Sequence, residues 1–200
     1  MAQLNDRERQ ALTLWVNDLH DPARDRGPSA RLRRCRDLMS VMLCEDFHSA
    51  APIFDTSRPR EPAVMAAIVG LLAHSRDGYI EGDCSCCGTQ GNCHSQSIKA
   101  SPTVLAQPQE PGGSRSPLSP ARFQRLVGSD TIEDFFTQLR RALALIKYAP
   151  PIISLTNGIL QWDTDLRAKH KSNFAEHLKY QWTAAYYAER AAKKLDRKTD

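Results

Sequence analysis

Apolar residues recur at intervals of three and four along most of this 200-residue chain, the spacing that puts them on one face of an α-helix. The clearest such series is Ile132, Phe135, Phe136, Leu139, Leu143 and Ile146. The chain has no run of alternating β-branched or aromatic residues bounded by hairpin turns. This pattern predicts an all-α protein, and a composition of 41% hydrophobic and 25% charged residues is typical of a chain that folds.

The helical spacing stops in the middle of the chain, where cysteine, proline and glycine become frequent. We therefore predict an N-terminal helical bundle over residues 1–75, a loop or linker with a cysteine cluster over residues 76–118, and a C-terminal helical bundle over residues 119–200. Capping residues and prolines predict where the helices begin. The predicted starts are Asn5, Ser29, Glu61-Pro62, Ser119-Pro120, Asp130 with Glu133, Ser154, and Asp163 or Thr164. The helix that starts at Ser29 is predicted to continue through an apolar face of Leu32, Cys35, Met39 and Met42.

The chain has no phosphate-binding glycine loop, no dinucleotide-binding glycine motif, no zinc-protease motif and no nucleophile elbow. Its six histidines are scattered, so we predict no enzymatic activity and no small-molecule substrate. The longest apolar run, Ala63–Ala73, is well short of the ~20 residues that cross a bilayer. The first twenty residues are charged, unlike an export signal, so we expect a cytoplasmic protein without membrane contact.

Four cysteines and a histidine lie close together between residues 84 and 94. Cys84 and Cys87 have the C-x-x-C spacing that lets two sulfurs face one zinc ion, and Cys93 with His94 would complete a tetrahedral site. Adjacent ligands must turn sharply to converge, so an exposed loop with reduced thiols is the alternative. Zinc is thus a possible cofactor, and none is otherwise required.

Basic residues cluster on several of the predicted helices, and the net charge of +4 comes from residues 121–200. Clusters on separate helices can follow one phosphate backbone, although a solvated helix face is the ordinary reason for such residues. The large aromatic residues are at core spacing, so we expect contacts with phosphate rather than with bases. The candidate nucleic-acid-binding residues are Arg31, Arg33, Arg34, Arg122, Arg125, Arg140, Arg141, Arg167, Lys169 and Lys171.

The order of six short segments along the chain resembles the CasB family, the small subunit of the type I-E CRISPR surveillance complex Cascade. These segments are Trp15–Leu19, Ala30–Arg34, Ala121–Leu126, Gln138–Arg141, Leu160–Trp162, and Trp182 with Tyr186-Tyr187. The resemblance covers nearly the whole chain apart from residues 76–118. The cysteine cluster is not part of the family pattern.

The resemblance implies a non-catalytic helical subunit that acts in antiviral defence. Its expected partners are the other Cascade subunits, a second copy of itself, the guide RNA, and the target and non-target DNA. It would stabilise the R-loop and the displaced strand through the arginines of the matching segments, with Arg167, Lys169 and Lys171 as weaker candidates. Two alternatives stay open: a helical adaptor that binds only protein, and a metal-binding helical protein.

A sequence-specific helix-turn-helix regulator is disfavoured. The helix that would have to read the bases begins Ile132-Glu133-Asp134, which is apolar and acidic where a recognition helix needs polar side chains.

Overall fold

A computed structural model of the protein describes residues 3–21, 23–54, 60–75, 100–106, 116–146, 151–168 and 174–199. These residues are mostly helical and contain no strand, which confirms the all-α prediction for this part of the chain. None of the helices in these ranges is long and apolar enough to span a membrane. The α-helices are α1 (Asp6–His20), α2 (Gly27–Arg34), α3 (Leu38–Met42), α4 (Glu45–Ala50), α5 (Pro62–Leu72), α6 (Ala100–Ala106), α7 (Pro120–Val127), α8 (Ile132–Leu143), α9 (Ile152–Arg167) and α10 (Leu178–Thr199).

Helix α1 begins with the predicted capping box. The Glu8 amide donates to Asn5 Oδ1 at 2.8 Å, and the Asn5 amide donates to Glu8 Oε2 at 2.9 Å. The Glu8 carboxylate is buried and also accepts two hydrogen bonds of 3.0 Å from Arg60 Nη2. This buried ion pair ties the start of α1 to the residues just before α5.

Helix α5 is the central helix of the core, and its buried residues extend around most of its circumference. It packs against α3, α4, α8 and α9. At Gly70 an added Cβ would lie 3.0 Å from Phe136 Cε2, so the absence of a side chain lets α8 approach closely. A helix that is apolar on nearly all sides requires such complete enclosure.

The C-terminal helices pack around aromatic side chains. The Phe135 ring stacks on Trp162 at a centroid distance of 4.6 Å and lies 5.9 Å from Trp182. An added Cβ at Gly158 would lie 2.7 Å from Trp182 Cζ2, so α9 and α10 touch through a glycine. The core positions predicted for these aromatic residues are confirmed.

Helices from the N-terminal and C-terminal segments share one hydrophobic cluster. Hydrogen bonds also cross between them: the Leu4 amide donates to Asn157 Oδ1 at 3.1 Å, and the Leu38 amide donates to Glu133 Oε1 at 3.2 Å. The division of the chain into two bundles stays a prediction. A short helix, α6, lies within the segment predicted as a loop, with Leu105 and Ala106 buried and the helix packed on α10.

The single helix predicted from a Ser29 cap through Met42 is wrong, because the chain forms two helices there. Ser29 lies inside α2, and α3 begins after Asp37, which accepts a hydrogen bond of 2.7 Å from the Ser40 amide. This reciprocal cap competes with continuation of α2. Met39, predicted on the apolar face, is 60% exposed.

Three predicted helix starts in the C-terminal segment are also wrong. Thr131 rather than Asp130 caps α8, since its Oγ1 accepts from the Asp134 amide at 3.1 Å. Ser154 and Thr164 lie within the continuous helix α9. Hydroxyl groups inside a helix can bond the carbonyl four residues earlier, and Thr164 Oγ1 donates to the Leu160 carbonyl at 2.9 Å in this way.

Candidate nucleic-acid interface

The candidate residues divide first by whether the structure describes them. Lys169 and Lys171 lie outside the described residues. The four candidate zinc ligands also lie outside them: Cys84, Cys87, Cys93 and His94. Within the described ranges no group of three or more His, Cys, Asp or Glu residues is placed to hold a metal ion.

Arg31 joins α2 to α4 through a two-pronged ion pair. Its Nε and Nη2 atoms each donate to a carboxylate oxygen of Asp46 at 2.8 Å. Asp46 is buried, and the Arg31 guanidinium holds the pKa of that carboxyl below its ordinary value. The charge of Arg31 is therefore balanced within the protein, although its side chain is partly exposed.

Arg33 closes the C-terminal end of α5. Its Nε donates to the Ala73 carbonyl at 2.6 Å, and its Nη2 lies 3.3 Å from His20 Nδ1. The other ring nitrogen of His20 lies 3.1 Å from the Leu72 carbonyl. Carbonyls at the end of a helix have no partner within it, and Arg33 supplies one from α2.

Arg140 joins α8 to the end of α2. Its Nη1 donates to the Cys35 carbonyl at 2.8 Å, and its guanidinium lies 5.8 Å from the centroid of the Phe136 ring.

Arg167, on α9, also has protein partners. Its Nε contacts Asp163 at 2.9 Å, and its guanidinium group forms an ion pair with Glu61.

Arg34, Arg36 and Arg141 are exposed and have no ion pair or side-chain hydrogen bond within the described residues. Arg34 and Arg36 flank Cys35, whose carbonyl binds Arg140, and Arg141 follows Arg140 directly. Each of the three residues is therefore next in sequence to a residue of the contact between Arg140 and Cys35, and we call them the α2–α8 arginine cluster. Arg36 was missing from the candidate residues, although it belongs to the same arginine-rich run as Arg34.

Arg122 and Arg125 form a second exposed basic surface, which we call the α7 arginine pair. Residues three apart lie on the same face of a helix, and the opposite face of α7 is buried. Neither guanidinium has a partner in the part of the chain that the structure describes. The pair presents two positive charges to solvent one helical turn apart.

Helix α7 runs antiparallel to α10, as two hydrogen bonds show. Gln124 Nε2 donates to Tyr187 Oη at 3.1 Å, and Lys179 Nζ donates to the Ser129 carbonyl at 3.0 Å. Tyr180 and Tyr187 are exposed beside this junction, at 57% and 38%. We predicted no role for them, although their spacing of seven residues is the signal that they share a helix face.

A family model described as CRISPR-associated protein Cse2 matches residues 29–187 of the chain. This range contains both the α2–α8 arginine cluster and the α7 arginine pair. Comparison with curated proteins and with solved structures found no match.

Proposed function

The chain belongs to the Cse2 family, also called CasB, of the type I-E CRISPR complex Cascade, and we propose that it is a non-catalytic small subunit whose arginine surfaces hold nucleic-acid backbones. Family membership confirms the resemblance found in the sequence, and Cse2 proteins are structural subunits of Cascade in CRISPR defence. We further propose that its partners are the other Cascade subunits, a second copy of itself, the guide RNA and the DNA strands. This complex would act in the cytoplasm.

The observation that carries the proposal is the α2–α8 arginine cluster. Arg31, Arg33 and Arg140 have protein partners, whereas the three residues of the cluster have none among the described residues. The nearest carboxylate in sequence, Asp37, is engaged in capping α3. The capping hydrogen bonds keep the pKa of Asp37 below its ordinary value. Exposed guanidinium groups that form no ion pair are available to bind phosphate.

Backbone contacts of this kind are sufficient for the proposed role. Exchange of a DNA duplex for an RNA–DNA hybrid is nearly balanced in free energy. A few protein contacts with phosphate therefore shift the equilibrium toward the R-loop. Such contacts need no sequence preference, because base pairing with the guide supplies it. The α7 arginine pair offers a second contact area for the same strands.

The experiment compares two triple variants with equal changes in net charge. Arg34→Ala/Arg36→Ala/Arg141→Ala removes the cluster. The control removes three exposed arginines outside the matched range, by the changes Arg7→Ala, Arg24→Ala and Arg26→Ala. Affinity for single-stranded DNA is measured over a range of salt concentrations with the full chain, and R-loop lifetime is measured with reconstituted Cascade.

The salt slope is the decrease in the logarithm of the binding constant per unit increase in the logarithm of the salt concentration. Removal of the cluster is expected to lower this slope for single-stranded DNA by about 2, at about 0.7 per phosphate contact, and to shorten R-loop lifetime. The control variant should keep both values. Equal losses in the two variants would assign the effect to net charge alone. A wild-type chain and complex without salt-dependent binding would favour the protein-only adaptor.

A further inference from the structure

The junction of α7 and α10 carries two exposed tyrosine rings on one helix face. Tyr180 and Tyr187 are seven residues apart, which separates them by about 10 Å along α10. The Tyr187 ring is held in place by edge contacts with Phe123 and Tyr186, at centroid distances of 6.4 Å and 5.2 Å. Gln124 also donates to its hydroxyl group. The ring is thus fixed in orientation while 38% of the residue stays exposed.

Arginines alternate with these rings along the junction. The antiparallel register, set by the contacts of Gln124 with Tyr187 and of Ser129 with Lys179, places Arg125 between Tyr180 and Tyr187. By the same register Arg122 lies beyond Tyr187, toward Arg190. The Arg190 guanidinium lies 5.7 Å from the centroid of the Tyr186 ring.

The charge of this surface favours an anionic ligand. Over residues 122–130 and 179–190, which contain these rings and arginines, the carboxylates are Asp130, which lies 3.6 Å from the Lys179 ammonium, and the half-buried Glu189. Neither Arg122 nor Arg125 has an ion pair among the described residues. Aromatic rings interleaved with unpaired arginines are the arrangement by which proteins bind single-stranded nucleic acid without sequence preference.

We propose that Tyr180 and Tyr187 each stack an unpaired base of single-stranded DNA, with Arg122 and Arg125 binding the phosphates beside them. This inference rests on the proposed function and adds contacts with bases to it. The displaced strand is the expected ligand, because the guide and target strands of an R-loop pair with each other. The rings are too far apart to stack on the same base, so each takes its own.

The test compares binding of the full chain to oligothymidylate and to an abasic deoxyribose-phosphate strand of equal length and charge. Stacking predicts tighter binding of oligothymidylate, by at least about fivefold per ring. Tyr180→Leu and Tyr187→Leu should together reduce its affinity to that of the abasic strand and leave the salt slope unchanged. Tyr180→Phe and Tyr187→Phe keep the rings and should keep the affinity.

Each outcome separates this inference from the proposal on which it rests. Equal affinity of the wild-type chain for the two strands would overturn stacking and leave backbone binding intact. Failure to bind either strand would contradict backbone binding as well. Tighter binding of oligouridylate than of oligothymidylate, lost in the leucine variants, would assign the surface to RNA and overturn the assignment to the displaced strand. Should a leucine variant fail to fold, the abasic comparison and the phenylalanine variants still decide.

Discussion

Replacement of Arg140 by alanine removes the contact that joins α8 to the end of α2. The substitution removes the 2.8 Å hydrogen bond from Arg140 Nη1 to the Cys35 carbonyl. It also removes the cation–π contact between the guanidinium group and the Phe136 ring. A hydrogen bond to a charged group contributes about 1.5–3 kcal/mol, and a cation–π contact whose cation is reached by water about 0.5–1 kcal/mol. Because Arg140 is half-buried and water can reach the freed carbonyl, we expect a loss near the lower end, about 2 kcal/mol.

The adjacent residue provides a matched control. Arg141→Ala removes the same charge from an exposed side chain with no partner in the described part of the chain, and should change stability by no more than about 0.5 kcal/mol. Urea unfolding measures both variants. In thermal unfolding, a protein of this size loses about 2–4 °C of Tm per kcal/mol, so Arg140→Ala should melt about 4–8 °C lower.

The two variants should also differ in binding. Arg141→Ala is expected to lower the salt slope for single-stranded DNA by about 0.7 at unchanged stability. Equal stability of the two alanine variants would refute the structural role given to Arg140. It would then place both arginines among the residues available to nucleic acid.

Three further predictions concern the buried pairs and the cysteine cluster. Glu8→Gln keeps the capping acceptor but leaves the Arg60 charge buried and unpaired, so urea unfolding should show a loss of about 3–5 kcal/mol. Arg31 lowers the pKa of Asp46, so the ion pair stabilises the fold above about pH 4, and this contribution is lost as the pH falls through the lowered pKa. In urea unfolding, the Asp46→Asn variant should be less stable than the wild-type chain at neutral pH and should lose less of its stability on acidification. A zinc site at Cys84, Cys87, Cys93 and His94 predicts one zinc ion per chain by elemental analysis and a lower melting temperature after chelation. Metal-free protein whose melting temperature is unchanged by a chelator would contradict the zinc site and favour a loop with reduced thiols.

Helix starts that depend on a few adjacent residues were predictable from the sequence. The capping box of Asn5 with Glu8 and the Ser119 cap before Pro120 both form as predicted, since each brings its own hydrogen-bonding partners within three residues. The apolar helix α5 was also predictable, because its composition requires burial wherever it lies.

Helix starts at polar residues were less predictable from the sequence. Ser154 and Thr164 have side chains typical of caps, yet both lie within α9. Ser154 is in the first turn, which the core encloses, and the Thr164 hydroxyl group donates to the Leu160 carbonyl. The break between α2 and α3 was missed for the opposite reason: apolar spacing continued past Asp37, while the local cap at Asp37 stopped the helix. At each of these positions the local pattern permits both a helix and a cap, and it does not decide between them.

The candidate arginines were found by clustering, but their division into partnered and available residues was not predictable. The partners of Arg31, Arg33 and Arg140 lie 15, 40 and 105 residues away along the chain, and two of them are backbone carbonyls, which leave no sign in the sequence. Only the three-dimensional packing reveals them.

Helix geometry gives a physical basis for that division. Successive residues on an α-helix point about 100° apart, so two adjacent arginines on an amphipathic helix cannot both face the core. In the Arg33-Arg34 and Arg140-Arg141 pairs, one guanidinium binds a carbonyl of another helix or loop and its neighbour is exposed. The partnered arginine fixes the helix that carries the exposed one, so the charge offered to a phosphate sits on a rigid support. An Arg-Arg step on an amphipathic helix therefore supplies both an anchor to the rest of the fold and an exposed charge, which we propose binds phosphate.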